Sequence, residues 1–226
     1  MDGRTVLVTG GHGGLGGAVV DEFVHAGWRV VAPVRSVGAT RAGVVEVPAD
    51  LTDPAAAAAA VQTAADQPGA PLRAVVNLVG GYGGGRLIHE TPVEEFEAQL
   101  SVNLRPTYLV TAAALPHLVA AGGGAVVCVS SRAAVAPFAR AAGYVTAKAA
   151  VLAFAGAVAV EYRRQNVRCN TILPSVIDTP ANRAAQPDAD TSRWVPPAEI
   201  AAVVRFLASD ESAPTTGAAI PVYGQA

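Results

Sequence analysis

The sequence predicts a doubly wound α/β fold, a parallel sheet of about seven strands with helices on both faces. Two observations carry this. Short apolar runs rich in valine alternate along the chain with longer, alanine-rich runs of helical length. Strands that are apolar throughout belong in a sheet covered on both faces, and parallel neighbours need a helix-length crossover. The second observation is a glycine-rich stretch, "TGGHGGLG" at 9–16, placed at the first strand-to-helix junction. With half of its 226 residues apolar and only 15% charged, the chain suits one large domain with a substantial core.

The elements follow in order. "TVLVT" (5–9) is a buried strand, and "GLGGAVVDEFVHAG" (14–27) is a helix ending at Gly27. "RVVAPV" (29–34) and "GVVEVPAD" (43–50) are the second and third strands. "DPAAAAAAVQTAAD" (53–66) is a helix with Asp53 as N-cap and Pro54 as first residue. A carboxylate accepts from a free amide there, and proline has no amide to leave unpaired. "RAVVNLV" (73–79) is the fourth strand, followed by "GGYGGG". Helical segments run from about Pro92 to Ala121, one of them opening at Asn103. "GAVVCVSS" (124–131) is the fifth strand, and a long helix runs from about Gly143 to Gln165. "VRCNTIL" (167–173) is the sixth strand. A proline-rich loop then extends to Pro197, followed by a helix at 198–209 and a seventh strand, "GAAIPVY" (217–223). No repeat or linker interrupts 1–226, so a single domain is expected, with a short substrate loop at about 174–197.

Composition excludes several classes. A formal charge of −2 gives no reason to expect nucleic acid or an anionic membrane as partner. Cys128 and Cys169 lie in strand-like runs and read as buried free thiols. His12, His25, His89 and His117 are scattered, so no metal site is expected. The N-terminus shows no signal-peptide pattern, and the longest apolar stretch, "AAVLAFAGAVAV" (149–160), is too short for a bilayer. A cytoplasmic, reduced protein is expected.

The glycine stretch points to a nucleotide. Gly10, Gly14 and Gly16 allow a tight turn and close approach to a pyrophosphate, which the following helix N-terminus favours. An acidic residue at the end of the second strand would bind ribose hydroxyls and indicate NAD. Here Val34 and Arg35 stand there, and a guanidinium suits the extra phosphate of NADP. Asp50, after the third strand, is placed to accept from an adenine amino group.

A second constellation carries chemistry. Lys148, the one lysine among 16 basic residues, is four residues from Tyr144, so the two share a helix face. A nearby ammonium is expected to lower the tyrosine pKa and suit it to proton transfer at a carbonyl or alcohol oxygen. Ser131, at the end of the fifth strand, is placed to hold that oxygen. Strand alternation sends only one of Ser130 and Ser131 toward it. Asn103 is read as a helix cap or as the holder of a water beside Lys148.

Together, "TGGHGGLG", "NLVG" at 77–80, Asn103, "SS" at 130–131 and "YVTAK" at 144–148 resemble the short-chain dehydrogenase/reductase family over essentially the whole chain. The resemblance implies a Rossmann sheet and hydride transfer between NAD(P) and a carbonyl or alcohol carbon. It makes Tyr144 the acid/base, and gives Lys148 the nicotinamide ribose, Ser131 the substrate oxygen and Asn103 a place in a proton relay. It assigns cofactor contacts to Gly10, His12, Gly14, Leu15 and Gly16 in the glycine loop. Others fall to Arg35, Asp50, Leu51 and Asn77, and to Pro174, Ile177 and Thr179 after the sixth strand. NADP(H) is favoured over NAD(H).

Three departures stand out. Pro174-Ser175 replaces the usual Pro-Gly, "YGQA" replaces the C-terminal Asp-Gly-Gly, and Gly13 stands where many NADP-using members carry a basic residue. The loops at 80–86 and 173–194 resemble the dihydropteridine reductase branch, although Ser131 and Val34-Arg35 depart from it. A pterin-type reductase is therefore an alternative, as are a lyase or epimerase and a non-catalytic nucleotide sensor on the same fold. Tyr82, Phe138 and Trp194 are candidates to face a planar substrate, and Arg86, Arg132, Arg140 and Arg183 to receive an acidic group. The 143–165 helix is apolar nearly all round. Only one face can cover the sheet, so a homotetramer, or a dimer, is expected.

Overall fold

The computed structural model describes residues 3–38 and 41–225; Met1, Asp2, Ala39, Thr40 and Ala226, the ends of the expected 1–226 span among them, lie outside it. The chain runs β1 (Thr5–Thr9), α1 (Gly16–His25), β2 (Arg29–Val34), β3 (Val44–Pro48), α2 (Pro54–Ala65), β4 (Leu72–Asn77), α3 (Val93–Asn103), α4 (Arg105–Ala120) and β5 (Gly124–Val129). It continues with α5 (Ala142–Tyr162), β6 (Val167–Pro174), α6 (Pro180–Ala185), α7 (Pro197–Ala208) and β7 (Ala219–Val222).

All seven strands form one parallel sheet in the order β3-β2-β1-β4-β5-β6-β7. The chain winds outward from β1 to β3, returns to pair β4 with β1, and then winds the other way. The crevice between β1 and β4 is thus the topological switch point, where such sheets bind ligands at the carboxyl ends of their strands.

Alternation along each strand divides the core. Leu7, Val31 and Val75 face α2, α4 and α5, together with Val61, Leu118 and Val151. Val6, Val8 and Val30 face α1 and α7, together with Phe23, Ile200 and Val204. α2 begins as its sequence demands, with the Asp53 carboxylate accepting from the Ala56 amide at 2.7 Å.

Three expectations are corrected. Asn103 ends α3 instead of opening a helix; Pro106 follows, and the helical path restarts at Arg105. The loop from 174 to 197 contains a helix, α6, opened by Thr179, whose hydroxyl accepts from Asn182 N at 3.2 Å, and by Pro180. The apolar stretch at 149–160 lies within a continuous helical run, Ala142–Gln165, which by length and composition alone suffices to cross a membrane. In this fold Val151, Ala155, Val158 and Ala159 of that run are buried in the sheet's core.

Candidate active site

The site is assembled at the carboxyl edge of the sheet from four elements that the sheet order brings together. β1 leads into the glycine loop. Gly10 has φ 71°, and a β-carbon on Gly16 would collide with the Gly10 carbonyl, so the loop closes this tightly only on glycine. Leu15 is buried beneath the start of α1. Thr179 packs over Gly14 so closely that a β-carbon there would lie 2.6 Å from its Cγ2. The loop after β6 therefore covers the glycine loop, with Pro174 ending the strand and Ile177 bridged to Val195.

β4 ends at Asn77, which is buried. Its Nδ2 donates to Thr111 Oγ1 at 2.9 Å, while its Oδ1 has no partner among the described residues. The chain then turns through Gly80 and Gly81 against Asn103. Asn103 Nδ2 donates to the carbonyls of Gly81 and Gln99, each at 3.0 Å, and its Oδ1 accepts from Gly81 N at 3.1 Å. Gly80 is the point of closest approach. A β-carbon on it would lie 2.6 Å from Asn103 Oδ1 and 3.1 Å from Lys148 Nζ.

α5 supplies Tyr144 and Lys148. The lysine is 6% exposed and donates to the Val129 carbonyl at 3.1 Å. Its backbone carbonyl accepts from the buried Ser130 hydroxyl at 2.7 Å, which ties α5 to the end of β5. Alternation sends Ser131 the other way, toward the Tyr144 phenol, on whose pKa its hydroxyl acts. The same oxygen accepts from Ala133 N at 3.1 Å, which fixes its position.

The electrostatics correct one expectation. Burial raises the Tyr144 pKa, outweighing the opposing effect of the Ser131 hydroxyl. Lys148 Nζ lies 5.9 Å from the centre of the tyrosine ring and donates to the Val129 carbonyl, and the net shift stays upward. Burial also pushes Lys148 down to about 8.

The adenosine side holds a residue that sequence reasoning missed. Glu46 of β3, opposite Ala32 of β2 in register, accepts from His12 at 2.5 Å and from Gly38 N at 2.6 Å. Those two donors hold its carboxyl below the usual range, the Gly38 amide foremost. A carboxylate thus stands between the glycine loop and the end of β2, reached from the neighbouring strand. Its signal was the single charge in "VVEVP". Arg35 is exposed, and its charge acts on Asp50, whose Oδ1 accepts from the amide and hydroxyl of Thr52. Leu51 instead turns its side chain into the core.

Nearby, Tyr82 packs edge-on against Tyr144 (centroids 5.3 Å apart), and its ring is tilted 33° to that of Phe138 (6.2 Å). Gly85 N donates to the Arg140 carbonyl at 2.7 Å, and Arg140 Nη1 returns a bond to Gly85 O at 3.1 Å. Arg140 adopts φ 65° to do so, a conformation costly without glycine. Beside this junction lies an apolar cleft of about 480 Å³ lined by Leu87, Ile88, Pro137, Phe138 and Val145. Trp194 makes no aromatic contact with Tyr82 or Phe138. The candidate acid-receiving arginines are engaged. Arg86 binds Glu95, Arg183 pairs with Asp178 through two bonds, and Arg132 lies over Tyr223.

A model of the short chain dehydrogenase family matches residues 4–190. The chain belongs to that family. It is similar to the 2-(R)-hydroxypropyl-CoM dehydrogenase of Xanthobacter autotrophicus, 32% identical in an alignment of 244 positions that covers 98% of this chain and 97% of that one. Among solved structures, a short-chain dehydrogenase/reductase from Mycobacterium ulcerans superposes with a TM-score of 0.91 at 29% identity, over 98% of this chain and 89% of that one. The 3-ketoacyl-(acyl-carrier-protein) reductase of Brucella melitensis, solved with NADH, gives 0.87 at 26% identity over 99% and 98%. The short-chain family member described here is an oxidoreductase that uses a nicotinamide cofactor and a small-molecule substrate. The glycine loop, shaped so that a side chain at Gly16 would fill it, fits a dinucleotide pyrophosphate.

Proposed function

We propose that this enzyme interconverts a carbonyl and an alcohol on a small molecule, with Tyr144 as acid and base. The carrying observation is the placing of the Ser131 hydroxyl at the end of β5 where it acts on the Tyr144 phenol, with Lys148 buried one turn along the same helix. The bound nicotinamide supplies or accepts the hydride. Ser131 holds the substrate oxygen. Tyr144 protonates that oxygen in reduction and takes its proton in oxidation. Its raised pKa keeps it a proton donor at neutral pH, so reduction is expected to hold to high pH and oxidation to climb with pH. Lys148 donates to ribose hydroxyls, and Asn103, through the Gly80–Gly81 backbone, positions Lys148.

NADP(H) is the preferred cofactor in this reading. Arg35 supports it as the exposed cation at the end of β2, and both oxygens of Glu46 are already taken by His12 and Gly38. Arg35→Asp is expected to reverse the preference, measured as the ratio of kcat/KM with NADPH and NADH. The whole chain acts as one cofactor-binding domain in the cytoplasm, with 174–197 as the substrate loop. It assembles as a homotetramer, or a dimer, through α4 and α5. The exposed Tyr108, which packs edge-on against the partly buried Phe154, and Val160, 65% exposed, support this. Sedimentation at monomer mass would defeat that part.

A panel of carbonyl compounds, quinonoid pterins included, assayed separately with NADPH and NADH tests the activity. Turnover without net change in nicotinamide absorbance would indicate a lyase or epimerase. Loss of turnover in Tyr144→Phe with cofactor binding intact supports the reading, and an unchanged rate would end it.

A further inference from the structure

The amino edge of the sheet, opposite the site, holds a second cavity of about 390 Å³, within the ~300–1,000 Å³ of small-molecule sites. It runs along the starts of β1, β4, β5 and β6, where Arg4, Arg73 and Arg168 stand, and Arg163 in the turn after α5 joins them. Four of the 16 basic residues and one of the 18 acidic ones, Asp210, line it, leaving 12 basic against 17 acidic elsewhere in the chain. The groove is thus a positive island on a molecule that is otherwise net negative.

The fold holds three of these cations in place without neutralising them. Arg168 donates to Leu207 O at 2.9 Å, to Ser212 Oγ at 2.8 Å and to Ser209 O at 2.8 Å. Arg73 donates to Ala121 O at 2.7 Å. The Arg4 guanidinium lies 4.4 Å from the centre of the Trp28 ring. All these partners are carbonyls, a hydroxyl or a π-face. Among the described residues the neighbouring acids are Asp210, which acts on Arg168 through space, and Glu211, which is bonded to Arg205 and acts more weakly on Arg4 through space. Burial lowers the Arg168 pKa, so its charge is held there at a cost.

We propose that this groove binds a compact polyanion, a small molecule carrying two or more phosphate groups. Planar forks held by the fold match tetrahedral oxyanions and lose little freedom on binding. Arg4 and Arg168 start strands three places apart, about 14 Å at the usual sheet spacing, farther than one tetrahedral anion reaches. The amides of Gly122, Gly123 and Gly124 are spent on Val119, Leu118 and Asn166 carbonyls, so recognition rests with the side chains.

Calorimetric titration of the full chain with sodium tripolyphosphate, NADP⁺ held at saturation to fill the glycine loop, tests this. Saturable binding at one per chain is expected. Arg163→Ala, on an exposed turn, should weaken it about tenfold while leaving turnover unchanged, and Arg163→Lys should recover part of the loss. Arg86→Ala, at the other edge, should bind as wild type. Absence of saturable binding at low ionic strength, an equal loss in Arg86→Ala, or complete displacement by NADP⁺ would overturn the proposal. A chain that bound tripolyphosphate in this pattern but did not take NADP⁺ would support the groove and defeat the cofactor reading alone.

Discussion

At the carboxyl edge of the sheet one lysine is sealed among Val129, Gly80 and Asn103; at the amino edge four arginines line an open groove. The two edges show what each cation does well. A guanidinium spreads its charge over a flat fork and can spend donors on several carbonyls, as Arg168 does, while keeping others free. An ammonium concentrates its charge in one small group, which fits beneath Tyr144 only because Gly80 lacks a side chain. Burial pushes Lys148 down to about 8; it also lowers Arg168, which is half-buried, whereas Arg163 is exposed.

Breaking the comparison starts with the largest effect. Tyr144→Phe is expected to lower kcat by about 10³-fold or more, with cofactor affinity by fluorescence titration nearly unchanged. Lys148→Arg, which keeps the charge, should lose about 10²-fold in kcat/KM because the fork does not fit. The converse exchange at the other edge, Arg163→Lys, should cost only a few-fold in anion affinity. Similar tolerance at both edges would remove the distinction.

Stability measurements sharpen it. Lys148 has a lower pKa folded than unfolded, so the folded chain releases this proton first. Its burial destabilises the protein fully below about pH 8, and the penalty fades as pH rises toward 10.5. At ~1.4 kcal/mol per pKa unit this amounts to roughly 3–4 kcal/mol at most. Lys148→Met, though inactive, should therefore unfold at higher denaturant concentration than wild type at neutral pH, and the gap should narrow above pH 8. A constant gap would mean the ammonium is not the source of the cost. Gly80→Ala should lower kcat about tenfold by pressing on Asn103 and Lys148. Smallest of all, Glu46→Gln should shift the NADPH-to-NADH ratio a few-fold toward NADPH, since a carboxylate near the ribose repels a phosphate.

Much of the site was legible because local rules set it. Asp53 and Pro54 announce α2, the glycine spacing announces the loop at 9–16, and a separation of four puts Tyr144 and Lys148 on one face. Other parts depend on contacts across the chain. Glu46 looks like an ordinary strand charge until β3 lies beside β2 and His12 meets it. The direction of the Tyr144 shift followed from neither residue type nor spacing, because burial sets it. Helix α6 was hidden in a proline-rich stretch, since a six-residue helix leaves no readable period.

What the sequence by itself determined is the seven strands and their order, the helices other than α6, the glycine loop and the grouping of Tyr144, Lys148, Ser131 and Asn103 in one constellation. Those features are written in short-range spacing and in the alternation of apolar runs. Only the tertiary structure decided how the charges are held: a lysine against Val129, a glutamate reaching over from β3, and four arginines from distant segments around one groove. Electrostatic environment depends on burial and on neighbours far apart along the chain, and neither is fixed until the sheet has brought them together.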